Sequence, residues 1–334
     1  MWNRCVAITV AFLALALPSF AQKRPNTLAG YDQSARATVV HEAKVYIAAD
    51  PNSQEVSLIT PGHEIVIMER SGPWVRVFAN TDVEENSEEV PMFGQEEAAV
   101  PVAGWIKDKG VLSPKSPQGD VLLFGAAANA EALAEEPHAP KNAAQSAHLL
   151  YRRVYEYFPQ SPLAGEAAWR SADIRWQIEK QDISSLPSAH EKESYLRPQI
   201  YDEQMKKVIK LFPGSKWAAL AAYDLIDNKL CGDWLGLPKC PEQESGIYLK
   251  YAAQFPDGPK TAEALYNAAY RQGVQVDMYS VDNDHKKAGQ AAARMQDIAQ
   301  QLQAGFPKSE YAARAATLIY KLQQSIPIYG SDRE

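Results

Sequence analysis

The chain has 334 residues, of which 46% are hydrophobic and 22% are charged. This is the composition of a globular protein, and the length allows two domains. Lys and Arg number 34 against 41 Asp and Glu, a formal net charge of −7 at pH 7. Such an acidic balance argues against a nucleic-acid partner, which needs a basic surface.

Residues 1–21 have the pattern of an export signal peptide. Arg4 gives a short basic region, residues 6–17 are apolar apart from Thr9, and residues 19–21 include the small side chains that signal peptidase requires. A membrane anchor is the alternative, but this run is shorter than the about 20 apolar residues that span a bilayer. No later segment is long and apolar enough to be a transmembrane segment. Cys5 comes before the apolar run, so it is not placed as a lipoprotein cysteine. We therefore expect a periplasmic or secreted protein.

Residues 37–113 are predicted to form a small β-barrel. Short segments of alternating polar and apolar residues are separated by turn residues such as Pro61-Gly62. Val75 and Val77 alternate with Trp74, Arg76 and Phe78, as in a strand with one buried face. Several short strands at this spacing are typical of a small barrel.

Three motifs in this stretch resemble the bacterial SH3-like domain. They are PGHEI at 61–65, GPWVRV at 72–77 and GWI at 104–106. The family joins its last two strands by a short hairpin, whereas this chain has an insert at 79–103. Seven acidic and no basic residues lie between positions 82 and 97. We expect a solvated loop there, and a docking site for a basic partner is the alternative.

The SH3-like resemblance implies a module that binds cell-wall peptides or protein segments. By position, the aromatic residues of its ligand groove are Tyr46, Trp74 and Trp105. The alternative is that both Trp side chains belong to the core of the barrel.

Residues 114–140 are expected to be a linker with one possible helix. Ser, Pro and Gly at 113–119 favour turns. The alanine-rich segment that follows predicts a helix from Val121 to about Glu135, which EEPHAPKN then ends.

The rest of the chain is organised around a recurring Phe-Pro dipeptide. It occurs at 158–159, 212–213, 255–256 and 306–307, each time after an apolar-periodic stretch and before an alanine-rich one. The residue before proline avoids the α region, and proline has no N–H, so each dipeptide predicts a helix end. Ser or Gly follows three residues later and is expected to start the next helix, with Ser161 as one such cap. The pattern predicts four helical hairpins.

The predicted hairpins differ in the loops between them. They begin at Ala143 and then cover about 195–229, 242–273 and 284–324, and the surplus residues are assigned to loops at 181–194, 231–240 and 274–284. An Ala stands nine residues after each Phe, and a large residue follows it by two positions in three of the four hairpins (Trp169, Tyr223, Tyr266).

Residues 141–326 resemble the tetratricopeptide-like proteins of the bacterial envelope, such as the outer-membrane-protein assembly lipoprotein and the cell-division coordinator. The resemblance rests on the Phe-Pro and alanine pattern, whose residues are packing residues. It implies a solenoid of antiparallel helix pairs that binds other proteins. No functional residue is transferred by it.

Cys231 and Cys240 are expected to form a disulfide. After removal of a signal peptide they are the two cysteines that remain, and an isolated pair in an exported protein favours a bridge. A metal site lacks nearby His or further Cys, and the spacing is not that of a C-x-x-C redox motif.

No catalytic motif or cofactor fingerprint is found in the sequence. The six His residues are scattered, and the Asp282–His285 cluster lacks the Gly and Glu of a calcium loop, so Asp284 is expected to cap a helix. We therefore predict an α+β multidomain protein, a small SH3-like barrel followed by a TPR-like solenoid, with no cofactor and no metal. The leading hypothesis is a non-catalytic scaffold for envelope proteins or peptide segments. The alternatives are a peptidoglycan-binding protein and, more remotely, an envelope enzyme.

Overall fold

A computed structural model describes residues 35–81 and 101–330. The predicted signal peptide at 1–21 and most of the acidic insert lie outside the described residues, so both stay predictions. The described chain is an α+β protein, with a curled antiparallel sheet followed by helices.

The sheet has seven strands within the described part of the chain. They are β1 (Arg36–Val39), β2 (Ala43–Tyr46), β3 (Glu55–Ile59), β4 (Glu64–Ser71), β5 (Trp74–Ala79), β6 (Val102–Lys107) and β7 (Val111–Leu112). Their order is β3-β2-β6-β5-β4-β1-β7, and every neighbouring pair is antiparallel. Because the sheet curls into a half-barrel, one face encloses a core that includes Val45, Ile65, Val75, Val77 and Ile106.

Nine α-helices follow in the described residues, and eight of them form hairpins. They are α1 (Gly119–Ala134), α2 (Ala143–Tyr157), α3 (Ala164–Ser184), α4 (Glu203–Leu211), α5 (Lys216–Asp224), α6 (Lys239–Gln254), α7 (Thr261–Val281), α8 (His285–Gly305) and α9 (Glu310–Gln323). The hairpins are α2/α3, α4/α5, α6/α7 and α8/α9. Helix α1 is the helix expected from Val121 to about Glu135.

The Phe-Pro dipeptides end the first helix of each hairpin, as predicted. Helices α2, α4, α6 and α8 all stop at the residue before the Phe. The Phe N–H still donates to the carbonyl four residues back, as Phe158 does to Val154. The following Pro has no N–H to continue this series, so the chain turns.

The predicted serine caps are confirmed in two hairpins and wrong in one. Ser215 and Ser309 accept hydrogen bonds from main-chain N–H groups in the first turns of α5 and α9. Ser161 does not cap α3, which begins at Ala164. Its hydroxyl instead donates to the Asp120 carboxylate in α1 at 2.7 Å, because α1 lies against this turn.

All three predicted loops are shorter than expected. Helix α3 continues to Ser184, into the loop predicted at 181–194. Helix α7 continues through residues 274–281, where Val274 and Met278 are buried one helical turn apart, and the polar residues between them hid this spacing. Cys240 lies in the first turn of α6, not in a loop. Asp284 caps α8, as predicted, and accepts from the Lys287 N–H at 3.1 Å.

The sheet packs against α2 through the turn that joins β3 to β4. Gly62 adopts φ +89°, and an added Cβ there would lie 2.6 Å from the Leu149 Cβ. The Arg153 guanidinium donates to the Gly62 carbonyl at 3.0 Å. Sheet and helices therefore belong to one compact unit, with α1 packed beside α2 in the segment predicted as a linker. In the part of the chain that the structure describes, no helix has the length and hydrophobicity of a membrane span.

Candidate functional site

The three aromatic residues predicted to line a groove lie together on the outer face of the sheet. Tyr46 and Trp105 are Cα partners across β2 and β6, and the Tyr46 and Trp74 rings meet edge to face at 5.7 Å. We call Tyr46, Trp74 and Trp105 the aromatic face. Trp74 is only 7% exposed, yet it points away from the core that holds Val75 and Val77. It forms the floor of this face, while Tyr46 and Trp105 are partly exposed.

Two cations lie beside the aromatic face. Arg76 is the Cα partner of Trp105, and Lys107 that of Trp74; both are exposed. The Lys107 ammonium is 5.8 Å from the Trp74 ring centroid, a cation–π distance. Aromatic rings next to cations suit a ligand with flat or apolar groups and carboxylates.

A second aromatic surface runs across the helical hairpins. Its members are Trp169 in α3, Trp217 and Tyr223 in α5, Tyr266 in α7 and Tyr311 in α9; we call them the aromatic ladder. Trp169 stacks on Trp217 at 5.7 Å with 23° between the rings, and the rings of Tyr266 and Tyr311 are 5.8 Å apart. All five side chains are partly exposed. Each ring pair joins one hairpin to the next, so the ladder both stabilises the stack and presents aromatic edges to solvent.

A partly buried carboxylate, Asp224, lies beside the first part of the ladder. The Trp169 indole N–H donates to Asp224 at 3.3 Å. Burial, and next the negative charge of Asp173, raise the pKa of Asp224 to about 7, although the indole hydrogen bond lowers it. Burial also raises the pKa of Asp173. A carboxyl group with this pKa changes between its protonated and ionised forms near neutral pH.

Paired charges organise the second part of the ladder. The Lys260 ammonium lies 5.4 Å from the Tyr223 ring centroid and forms a 2.8 Å ion pair with Glu263. Burial alone raises the pKa of Glu263, but Lys260 and the hydroxyls of Tyr223 and Tyr311 outweigh it and lower that pKa. Arg314 lies against Tyr311 at 5.3 Å. The ladder thus combines aromatic rings with both signs of charge.

The Cys231–Cys240 disulfide is present, as predicted, and the loop it closes is fixed by a buried glutamate. Glu244 in α6, 1% exposed, accepts from the Cys231 N–H at 2.9 Å and from the Trp234 indole at 3.2 Å. It also accepts from Arg271 at 2.6 Å. One carboxylate therefore joins the loop to α6 and α7.

The sequence gives an incomplete account of these surfaces. The large residue two positions after the shared Ala identifies Trp169, Tyr223 and Tyr266, but only as packing residues. Trp217 and Tyr311 each follow a helix-starting Ser by two positions, and this shared position in the sequence distinguishes them. Asp224 and Glu244 have no sequence signal, because their burial depends on neighbouring hairpins.

Within 35–81 and 101–330, no group of three or more His, Cys, Asp or Glu side chains is placed to hold a metal ion. In comparisons with known proteins, no family model matches the chain, and no curated protein matches it either.

Proposed function

We propose that the protein is a non-catalytic adaptor of the bacterial envelope, periplasmic or secreted, which binds protein segments along its helical hairpins. The observation that carries this is the aromatic ladder, a partly exposed row of aromatic side chains that crosses all four hairpins. Aromatic side chains with arginine are the residues most enriched at binding hot spots. The tetratricopeptide-like pattern of residues 141–326 supports the same role, and the disulfide supports an oxidising compartment.

Affinity capture from envelope extracts tests the adaptor role. The bait is the chain from residue 22 onward, compared with a variant that carries Trp217→Ala and Tyr311→Ala. We expect the unchanged chain to capture defined proteins. The amount of each captured protein should fall about tenfold or more with the ladder variant, as for hot-spot residues. The matched control is Tyr320→Ala, a 57% exposed tyrosine of α9 outside the ladder, which should retain capture. Equal capture by all three proteins, or none above background, would refute the proposal.

A second candidate function is peptidoglycan binding by the sheet. The specific observation is that Arg76 and Lys107 flank the aromatic face, because cell-wall peptides present carboxylates. The SH3-like motifs of residues 61–106 support the same reading. The residues of the predicted SH3-like module pack on α2, so the test uses the whole chain and not a fragment.

Sedimentation with purified peptidoglycan tests this second function. The unchanged chain should co-sediment, and Trp105→Ala should weaken its retention by about tenfold. Tyr195→Ala, a 77% exposed tyrosine outside the sheet, is the control and should not change retention. If the unchanged chain stays in the supernatant, the sheet does not bind the cell wall.

A further inference from the structure

The C-terminal segment, residues 326–330, lies on α7 in the manner of a bound peptide. A single carboxylate oxygen makes both hydrogen bonds: Asp277 Oδ2 accepts from the Ile328 N–H and from the Tyr329 N–H, each at 2.7 Å. Two successive main-chain donors converging on one carboxylate are a way to recognise a backbone, independent of its side chains.

The Ile328 side chain occupies a position that only glycine leaves open. A Cβ added to Gly273 would lie 2.6 Å from Ile328 Cδ1 and 2.9 Å from the Met295 sulfur. Gly273 lies in the interior of α7, where glycine costs roughly 0.5–1 kcal/mol relative to alanine. The close approach of Ile328 accounts for a glycine in this unfavourable place.

The Tyr329 ring contacts the disulfide loop. It lies 5.7 Å from the Trp234 ring, which is itself held by the indole hydrogen bond to Glu244 and by Arg271, whose guanidinium is 5.7 Å from the ring. Trp234 is thus held in position by Glu244 and Arg271, which both lie outside the C-terminal segment. Preorganised sites of this kind bind with little loss of conformational entropy.

We define the tail groove by Trp234, Gly273, Asp277 and Met295. Its walls come from the disulfide loop, α7 and α8. Pro327, one residue before Ile328, restricts its own φ and favours extended backbone in Ile326. The segment is therefore restricted in conformation around Pro327, and its backbone bends at residues 328–330, where it contacts the groove.

We propose that the tail groove is a peptide-binding site that the C-terminal segment occupies in cis. When that segment leaves, the groove takes a partner's segment of the same chemistry: a branched aliphatic residue followed by an aromatic one, both with free main-chain N–H groups. The inference rests on the proposed adaptor function only for its biological use, since the groove is separate from the aromatic ladder. Because the covalently attached segment competes at a high effective concentration, the intact chain binds such a peptide weakly.

The test removes the covalent link after folding. A cleavage site for a specific protease is inserted between Gln324 and Ser325, both exposed, and the folded protein is cut. The probe is a fluorescein-labelled peptide of residues 325–330, SIPIYG, followed by fluorescence anisotropy. We expect saturable one-to-one binding to the cut protein, at least about tenfold tighter than to the uncut chain.

Three variants of the cut protein locate the site. Gly273→Val and Asp277→Ala should each weaken peptide binding by about tenfold or more, while Asp282→Ala, an exposed carboxylate on the residue after α7, should leave it unchanged. Circular dichroism and thermal melting confirm that each protein is folded, and a full-length Ile328→Ala chain gives a second measurement, since its weakened cis segment should admit the probe without cleavage.

The proposal fails if the folded, cut protein does not bind the probe, or if binding is equal in the groove variants and the Asp282→Ala control. These results leave the adaptor function untouched, because affinity capture through the ladder is measured separately. Loss of capture by the ladder variant together with normal peptide binding would, conversely, leave the tail groove intact.

Discussion

The Tyr157 hydroxyl, at the end of α2, donates a 2.9 Å hydrogen bond to the main-chain carbonyl of Ala37 in β1. The two residues are 120 positions apart in the sequence. Tyr157 immediately precedes the first Phe-Pro dipeptide, so the residue pattern that ends α2 also sets where this helix meets the sheet. The sheet and the first hairpin therefore share a buried interface.

Gly62, in the turn between β3 and β4, lies close to α2, and substitution there should be costly. We expect Gly62→Ala to lower the free energy of unfolding by about 2 kcal/mol or more, because the new Cβ clashes with Leu149 and the φ of +89° is strained. Gly72→Ala is the control: it shares a positive φ but has open space around the Cβ, and should cost about 1 kcal/mol. Urea denaturation gives both values, and equal losses would contradict the packing described here.

The Glu156 carboxylate should stabilise the same interface. Burial raises its pKa, but Arg153 and Arg152 outweigh this, and its pKa falls to about 2. Its contribution is therefore complete above the unfolded value of 4.5 and is lost as the pH falls through about 2. We expect Glu156→Gln to cost about 3 kcal/mol at pH 7, since it leaves the buried Arg153 without its nearest carboxylate.

The control for Glu156 is Glu166→Gln, which removes a partly exposed i,i+4 pair with Arg170 and should cost less than about 1 kcal/mol. Chemical denaturation at pH 7 and pH 3 separates the two variants. A loss from Glu166→Gln as large as that from Glu156→Gln would show that burial of the arginine is unimportant.

Local patterns predicted the helices better than they predicted how the helices meet. The Phe-Pro dipeptides located four helix ends because proline acts within one or two residues. Ser161 was assigned to the wrong partner, since its real neighbour, Asp120, is 41 positions away. The residues of the aromatic face were named from their positions in the SH3-like motifs, whereas the ladder and the tail groove arise from contacts between separate hairpins.

Asp224 should make stability depend on pH near neutrality. Its pKa rises to about 7 through burial and the nearby Asp173 charge, so its stabilising effect is complete below the unfolded value of 3.8 and is lost as the pH rises through about 7. We expect Asp224→Asn to raise the free energy of unfolding at pH 8 by about 1–3 kcal/mol and to flatten its decline between pH 5 and pH 8.

Asp257→Asn is the control for Asp224, because Asp257 is exposed in the turn after α6. This variant should keep the pH dependence of the unchanged protein. The explanation fails if Asp224→Asn shows the same decline in stability between the two pH values as its control.

The disulfide should stabilise the loop that carries Trp234. Reduction should lower the free energy of unfolding by about 2–3 kcal/mol, as the loop-entropy model gives for so short a loop. Denaturation with and without reductant measures this, and a Cys231→Ser, Cys240→Ser double variant should be insensitive to reductant. Thiols at these positions that react with an alkylating reagent before reduction would contradict the bridge.

The packing of the sheet on α2 has one more consequence, for spacing. The aromatic face and the aromatic ladder belong to one folded unit, so no flexible tether sets the distance between them. Two ligands bound at these surfaces would therefore have a separation and an orientation set by the fold of that unit. A change of linker length cannot alter that geometry, whereas a change at Gly62 or Tyr157 can.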